Sequence, residues 1–230
     1  YVDLPGDVIE GKVDEEEVQW EPRVADPHRS KVAEEDISSA LEALKSASNP
    51  LIIVGKGAAW SWAEDELLEF VDKTQIPFLT SPMGSGMLPP GHPLNVSSAR
   101  TQALQGADVV LLVGARMNWI FHFGQPPRFS DNYKLIQVDI EPTEIGRNHA
   151  AEVGLVGDAK MVMRQLVDAL GDNPVVFEET DWISGLNAKS IQNAETIEPM
   201  LNSDFEQIGY YRILKEIRDR LSFLINVGLN

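Results

Sequence analysis

Apolar residues recur along the chain in two spacings. Spacings of three and four, typical of a helix with one buried face, occur in residues 34–47, 62–73, 97–105, 159–170 and 204–221. Short continuous apolar runs, typical of strands buried on both faces, occur in residues 51–54, 76–80, 109–113, 135–140 and 153–156. Because such strands alternate with helices, the pattern predicts an α/β fold: an open, parallel, Rossmann-like sheet with helices on both faces.

Polar segments flank this predicted domain, which spans residues 34–172. Residues 11–33 are acidic and contain two prolines, which predicts a solvated linker. Residues 173–203 are polar and lose their hydrophobic period, which predicts a second linker. Residues 1–9 are predicted to form a strand that runs into a turn, so we expect the chain to be a segment of a longer polypeptide. The apolar face of the helix at 204–221 is then expected to pack on a following domain.

Composition narrows the classes of function. The 230 residues include 36 acidic and 19 basic ones, a net charge of −17, so the surface as a whole repels nucleic acid. Cysteine is absent, which excludes disulfides and thiolate zinc sites. No apolar stretch approaches the roughly 18 residues of a membrane-spanning helix, so no membrane partner is expected. An anionic ligand would need a local positive pocket or the amides at a helix N-terminus.

Residues with possible ligand chemistry follow the predicted strands, at the edge of a parallel sheet where ligands bind. Gly55 and Gly57 allow close approach of the backbone to a ligand, and the helix after them offers free amides to a phosphate. Arg116 offers a cationic fork and Asp139 an acceptor for ribose hydroxyls. Asp158 stands where a helix N-cap belongs. Together these residues predict a nucleotide pocket. Taken singly, Lys56, Arg116 and Asp139 are each more typical of surface groups than of ligand contacts, and Asp158 is more typical of a plain cap.

Other catalytic motifs are missing from the sequence. Trp60 takes the position of the third glycine in a dinucleotide fingerprint, and there is no Walker loop, nucleophile elbow or His-Glu-x-x-His motif. His122 lies among aromatic residues, which favours a packed or hydrogen-bonded histidine over a catalytic base. We therefore predict no metal ligand and no catalytic acid, base or nucleophile. The alternatives left open are a segment of a larger enzyme, an NAD- or FAD-binding module, and a non-catalytic scaffold with a vestigial pocket.

Four stretches of sequence carry a family resemblance: residues 51–59, 76–84, 114–124 and 136–140. The most distinctive is Gly114-Ala115-Arg116-Met117-Asn118-Trp119. Together they resemble the central domain of thiamine-diphosphate enzymes, in the branch of 2-hydroxyacyl-CoA lyases and oxalyl-CoA decarboxylases. His122-Phe123-Gly124, followed by Pro126-Pro127-Arg128, favours the lyases.

The resemblance implies a division of the chain into parts of a larger enzyme. These parts are the end of a pyrimidine-binding domain (1–10), a linker (11–33), a central nucleotide-binding domain (34–172), a linker (173–203) and the start of a diphosphate-binding domain (204–230). The whole enzyme would cleave a 2-hydroxyacyl-CoA to formyl-CoA and an aldehyde, or, as the alternative, decarboxylate oxalyl-CoA. The resemblance implies that thiamine diphosphate and Mg²⁺ bind mainly outside this chain, which holds no catalytic residue.

For the central domain, the resemblance implies recognition of an adenine nucleotide, ADP in the decarboxylase branch. Matching positions imply contacts from Lys56 and Gly57 near the phosphates, Arg116 against the nucleotide, Asp139 on the ribose, and Asp158 and Ala159 near the adenine.

The resemblance also implies a stretch near the acyl-CoA substrate. That stretch is Ser98, Ala99, Arg100, Thr101 and Gln102, with Arg100 as the cation for an anionic group of the thioester. Homo-oligomers are expected only when the flanking domains are present. Relatives are peroxisomal or cytoplasmic, and the sequence leaves the compartment open.

Overall fold

The computed structural model describes residues 3–20, 25, 28–171, 177, 180–202, 213 and 216–219. Within them, the strands of the sheet are β1 Pro50–Val54, β2 Phe78–Thr80, β3 Val109–Val113, β4 Lys134–Asp139 and β5 Val153–Val156. Their order across the sheet is β2–β1–β3–β4–β5, and every neighbouring pair is parallel. The predicted fold class is confirmed.

The helices whose two ends are both described flank or follow these strands. They are α1 Gly6–Ile9, α2 Glu34–Lys45, α3 Lys56–Ser61, α4 Glu64–Thr74, α5 Arg100–Gly106, α6 Ala159–Leu170 and α7 Asp181–Asn202. Short 3₁₀ turns include Pro82–Gly84, Ser97–Ala99 and Trp119–Gly124. None of the described helices, the 22-residue α7 included, has the length and hydrophobicity that crossing a membrane requires.

The sheet is covered on both faces because successive side chains of a strand point to opposite sides. Every residue of β1 and β3 is buried. Side chains such as Ile52 and Leu111 pack with α2, α4 and α6 on one face. Leu51 and Val110 pack with α5 on the other face, together with Leu186 of α7. This two-sided burial explains why the strands are continuous apolar runs rather than alternating ones.

The helix predicted over residues 62–73 is two helices in the structure. α3 begins at Lys56, in the segment expected to be a turn, and ends at Ser61, because the next residue, Trp62, has left-handed backbone (φ 57°). α4 then starts at Glu64. The predicted strand at 76–80 is shorter than expected, because Pro77 has no amide hydrogen to donate and pairing starts at Phe78.

One prediction for the flanking segments is wrong where the structure describes it. Within the strand predicted at 1–9, Gly6–Ile9 forms an exposed helical turn that buries no residue; Tyr1 and Val2 lie outside the described residues. The segment at 173–203, predicted as a polar linker without a hydrophobic period, contains the helix α7, and its role as a linker stays a prediction. Most of the helix predicted at 204–221 lies outside the described residues, and the part that is described, 213 and 216–219, is helical.

Candidate functional site

A cleft opens at the carboxyl ends of the strands, where β1 has β2 on one side and β3 on the other. The strand order reverses at this point, and open α/β sheets bind ligands at such points. A larger lobe of about 480 Å³ is lined by residues that include Lys56, Met83 and Arg116. A smaller lobe of about 270 Å³ is lined by residues that include Arg29 and Asp158. Five residues line both lobes, so they form one continuous cleft: Gly57, Trp60, Gly114, Asp139 and Ile140.

The floor of this cleft consists of main chain from three loops in direct contact. The Gly55 amide donates to the Val113 carbonyl (2.9 Å), and the Gly57 amide donates to the Gly114 carbonyl (2.7 Å). A Cβ on Gly55 would stand 2.4 Å from the Gly114 oxygen. These glycines therefore permit contact between loops. Approach of a ligand to Gly57, which lines both lobes, stays a prediction. The Gly57 amide is also not free for a phosphate.

Two cations face the larger lobe. The Lys56 Nζ lies 5.7 Å from the centroid of the Trp60 ring, and no carboxylate among the described residues pairs with it. The Arg116 side chain is 59% exposed, and its Nε lies 3.6 Å from Oε1 of Glu144. The same Glu144 oxygen accepts a shorter hydrogen bond from Arg147 (2.9 Å). Arg116 is therefore held loosely and keeps donors that an anionic ligand can use.

Asp139 lies at the end of β4, between the two lobes. Its Oδ1 accepts a hydrogen bond from the Glu141 amide (2.9 Å). Burial raises the pKa of Asp139, and the Glu141 amide and Arg116 partly oppose that rise. With one oxygen engaged by the backbone, the other oxygen can accept from ligand hydroxyls.

Asp158 is the N-cap of α6, as the sequence predicted: its Oδ1 accepts from the Met161 amide (3.2 Å). The same carboxylate accepts from the Ser61 hydroxyl (2.9 Å) and, through both oxygens, from the Arg29 guanidinium (3.1 Å each). These hydrogen bonds occupy both oxygens of the Asp158 carboxylate. Of the two residues expected near the adenine, Ala159 is therefore more available for contact with a ligand than Asp158.

Arg29 is a residue of the cleft that the sequence reasoning missed. It belongs to the segment predicted as a linker, and it also donates to the Ser61 carbonyl. Two hydrogen bonds between the Val32 backbone and the Gln165 side chain hold the segment against α6 (3.1 and 3.0 Å). No periodic pattern marks this contact, because it joins residues more than 100 positions apart.

The stretch expected near acyl-CoA, residues 98–102, does not line either lobe. The Arg100 guanidinium donates to the carbonyls of Thr80 (3.2 Å) and Ile120 (3.4 Å) and stacks 4.6 Å from the centroid of the Phe121 ring. Burial, and secondarily the charge of Arg128, lowers the pKa of Arg100. Arg100 thus braces the loops beside the larger lobe.

The rest of that stretch faces other parts of the chain. The Ser98 carbonyl accepts from Asn193 of α7 (2.7 Å), and the Thr101 hydroxyl accepts from Arg128 (2.8 Å). Ala99 is buried, and Gln102 lies beside Gly185 of α7.

A strained turn, Trp119–Gly124, borders the larger lobe. His122 (φ 48°) and Phe123 (φ 55°) both have left-handed backbone. His122 is exposed, so it is not a packed histidine. The turn is held by Tyr133, whose hydroxyl donates to the Gly124 carbonyl (3.2 Å) and whose ring stacks on His149 at 4.1 Å. Burial raises the pKa of Tyr133.

Metal coordination has no candidate in the described part of the chain, where no three His, Asp or Glu side chains come together in a way that could hold an ion. The described residues therefore offer no carboxylate set that fits the magnesium of thiamine diphosphate.

Comparison with known proteins gives consistent matches. A family model described as the central domain of thiamine pyrophosphate enzymes matches residues 37–166. Human 2-hydroxyacyl-CoA lyase 1 is 35% identical over 100% of this chain and 40% of its own length. Arabidopsis thaliana 2-hydroxyacyl-CoA lyase is 38% identical over 96% of this chain and 40% of its own length. Oxalyl-CoA decarboxylase of Escherichia coli K12 is 37% identical over 100% of this chain and 42% of its own length. The chain spans about 40% of the length of these relatives.

Proposed function

Because the chain belongs to the central-domain family of the thiamine pyrophosphate enzymes, we propose that it serves as the nucleotide-binding middle domain of a 2-hydroxyacyl-CoA lyase. Such an enzyme breaks a carbon–carbon bond and releases formyl-CoA and an aldehyde. Thiamine diphosphate, when bound, supplies the electron sink for that cleavage. This chain contributes no catalytic residue in the proposal; its part is to bind an adenine nucleotide and to support the acyl-CoA site.

The observation that carries the proposal is the cleft at the strand-order reversal, where Lys56, Arg116 and Asp139 meet. In a chain of net charge −17, a diphosphate needs a local cluster of cations, and Lys56 and Arg116 supply it. Asp139 accepts from the ribose hydroxyls. The base then extends into the smaller lobe toward Ala159.

Titration calorimetry of the 230-residue chain with ADP tests this site. We expect one ADP per chain, and Arg116→Ala to weaken binding about tenfold, the loss typical of one hydrogen bond to a charged group. Lys134→Ala is the control, because Lys134 is an exposed cation that lines neither lobe. A parent chain that binds no ADP, or an Arg116→Ala chain that binds as tightly as the parent, overturns the nucleotide assignment.

A parallel titration with NADH addresses the alternative of a dinucleotide-binding module. We expect NADH to bind more weakly than ADP, because Trp60 occupies the place where a glycine would let a pyrophosphate approach. Tighter binding of NADH than of ADP supports the oxidoreductase module. A chain that binds neither ligand fits a scaffold with a vestigial pocket.

A second candidate for the whole enzyme is an oxalyl-CoA decarboxylase, since the decarboxylase of Escherichia coli matches as well as the lyases do. Both reactions yield formyl-CoA, so the other product separates them. A polypeptide that joins this chain to its flanking domains is incubated with thiamine diphosphate, Mg²⁺ and either a 2-hydroxyacyl-CoA or oxalyl-CoA. Release of an aldehyde supports the lyase, and release of carbon dioxide supports the decarboxylase. If the enzyme releases neither product, it has lost the activity of the family.

A further inference from the structure

Trp60 has an unusual position for a large aromatic residue. It lies near the end of α3 and lines both lobes of the cleft, yet it is 74% exposed. Ile140, the residue after Asp139, also lines both lobes and is 67% exposed. Two large apolar side chains that line the same two lobes as Asp139 are therefore left in water. Exposed apolar surface in a cleft marks a place where a ligand is expected to cover it.

The Trp60 ring is presented by a rigid piece of main chain. Ser61, the next residue, is buried; its hydroxyl donates to Asp158 (2.9 Å) and accepts from the Lys160 amide (2.7 Å). At the other end of α3, the Gly57 amide is bonded to Gly114. Lys56, one helical turn before Trp60, places its ammonium 5.7 Å from the ring centroid, which favours one orientation of the ring. A ring fixed in this way loses little conformational entropy when a ligand stacks on it.

We propose that Trp60 is the specificity-determining residue of the cleft: the base of the nucleotide stacks on its indole ring, and Ile140 contacts the base from the β4 side. This inference rests on the proposed nucleotide site and adds which part of the ligand is selected. Because Lys56 lies beside the ring, a phosphate bound by Lys56 would lie close to the base stacked on Trp60. Because every base has a π-face, stacking selects ligands that carry a base over sugar phosphates that lack one, and discriminates weakly between adenine and guanine.

The test compares ADP, GDP and ribose 5-phosphate by calorimetry on the parent chain and on Trp60→Ala, Trp60→Phe and Trp62→Ala. Trp62 is the matched control, because it lies two residues away, is 66% exposed and lines neither lobe. We expect Trp60→Ala to weaken ADP and GDP about tenfold and to leave ribose 5-phosphate unchanged. Trp60→Phe should keep most of the affinity for ADP, and Trp62→Ala all of it.

The outcomes separate this inference from the proposal beneath it. If the parent binds ADP and Trp60→Ala binds it as tightly, the stacking role is overturned and the nucleotide site stands. If Trp60→Ala weakens ADP and ribose 5-phosphate equally, the residue only positions the loop, and the inference again fails. If the parent binds no ADP, both fail. Should Trp60→Ala not fold, Trp60→Phe decides instead: indole emission that ADP quenches in the parent must then lose its response in the variant.

Discussion

Gly55, Gly84 and Gly114 meet beneath the cleft at distances that leave no room for a methyl group. A Cβ on Gly84 would lie 2.4 Å from the Val54 carbonyl oxygen, and Gly114 also has a positive φ of 59°. At the scale of single residues, these glycines couple the end of β1 to the loops after β2 and β3. Their effect is on the stability of the site rather than on the chemistry of a ligand.

Gly55→Ala is expected to lower the free energy of unfolding by about 2 kcal/mol, the cost of overpacking a well-filled region. The added methyl group would stand 2.4 Å from both the Gly114 oxygen and the Ala115 Cβ. Urea denaturation of the chain measures the loss. Gly91→Ala is the control, since nothing lies within 4 Å of a Cβ at that position. Similar stabilities for the two variants would contradict the close contact of the loops.

Asp139 gives a prediction for the dependence of stability on pH. Burial raises the pKa of its carboxyl above the ordinary 3.8. The folded state therefore binds the proton more tightly than the unfolded state, so ionisation of Asp139 costs stability as the pH rises through and above that ordinary value. Asp139→Asn should thus be more stable than the parent at neutral pH, and this gain should vanish in acid below that value. The same variant should bind ADP more weakly.

Denaturation midpoints of the parent and of Asp139→Asn, measured from acidic to neutral pH, check this expectation. Asp131→Asn serves as the control, because Asp131 is exposed and does not line the cleft. If the stability difference between the parent and Asp139→Asn is the same at every pH, the buried carboxylate is not its cause.

Residues also differ in how well the sequence foretells their role. The capping role of Asp158 was predictable, because an N-cap depends only on the next few residues. Its partnership with Arg29 was not, because the two are 129 positions apart and nothing in the sequence around either one signals the other. The rule that ligands bind at strand ends correctly grouped Lys56, Arg116 and Asp139 in one cleft. Their roles in binding a ligand stay predictions.

Among the elements, α7 shows where periodicity fails. Its buried residues, Ile183 and Leu186, lie in its first two turns, and the side chains described in the later turns are mostly exposed. The Trp182 Nε1 donates to the Pro50 carbonyl (3.2 Å), and its ring covers Gly106. Tertiary contacts therefore stabilise a helix that its own hydrophobic pattern does not predict. The left-handed backbone of Trp62, which separates α3 from α4, is likewise not predicted by the sequence pattern.

Trp182→Ala is expected to lower the free energy of unfolding by about 3 kcal/mol, since it leaves a cavity over Gly106 and an unpaired Pro50 carbonyl. Amide exchange in α7 should also become faster than in the strands, because the helix loses its anchor. Trp20→Ala is the control, as Trp20 is 86% exposed. Exchange in α7 that matches the parent's would show that Trp182 does not hold the helix.

At the scale of the whole molecule, alternation of buried strands and amphipathic helices was enough to predict the architecture. The pattern determines which faces are buried, and short parallel crossovers leave few arrangements. The predicted acyl-CoA stretch lies outside both lobes of the cleft, and its role in substrate binding stays a prediction. Charge acts at this scale as well: a net −17 surface surrounds a cleft to which Lys56 and Arg116 bring positive charge. We therefore expect anionic ligands to bind at this cleft.

Since the base of the cleft consists of amide–carbonyl bonds and glycine contacts, it does not depend on the side chains that rise around it. Substitutions at Trp60, Met83, Ile120 and Ile140 should change which molecules are accepted without disturbing the platform below. The domain is accordingly a good starting scaffold for directed evolution of new small-molecule recognition, with diversity confined to these four positions.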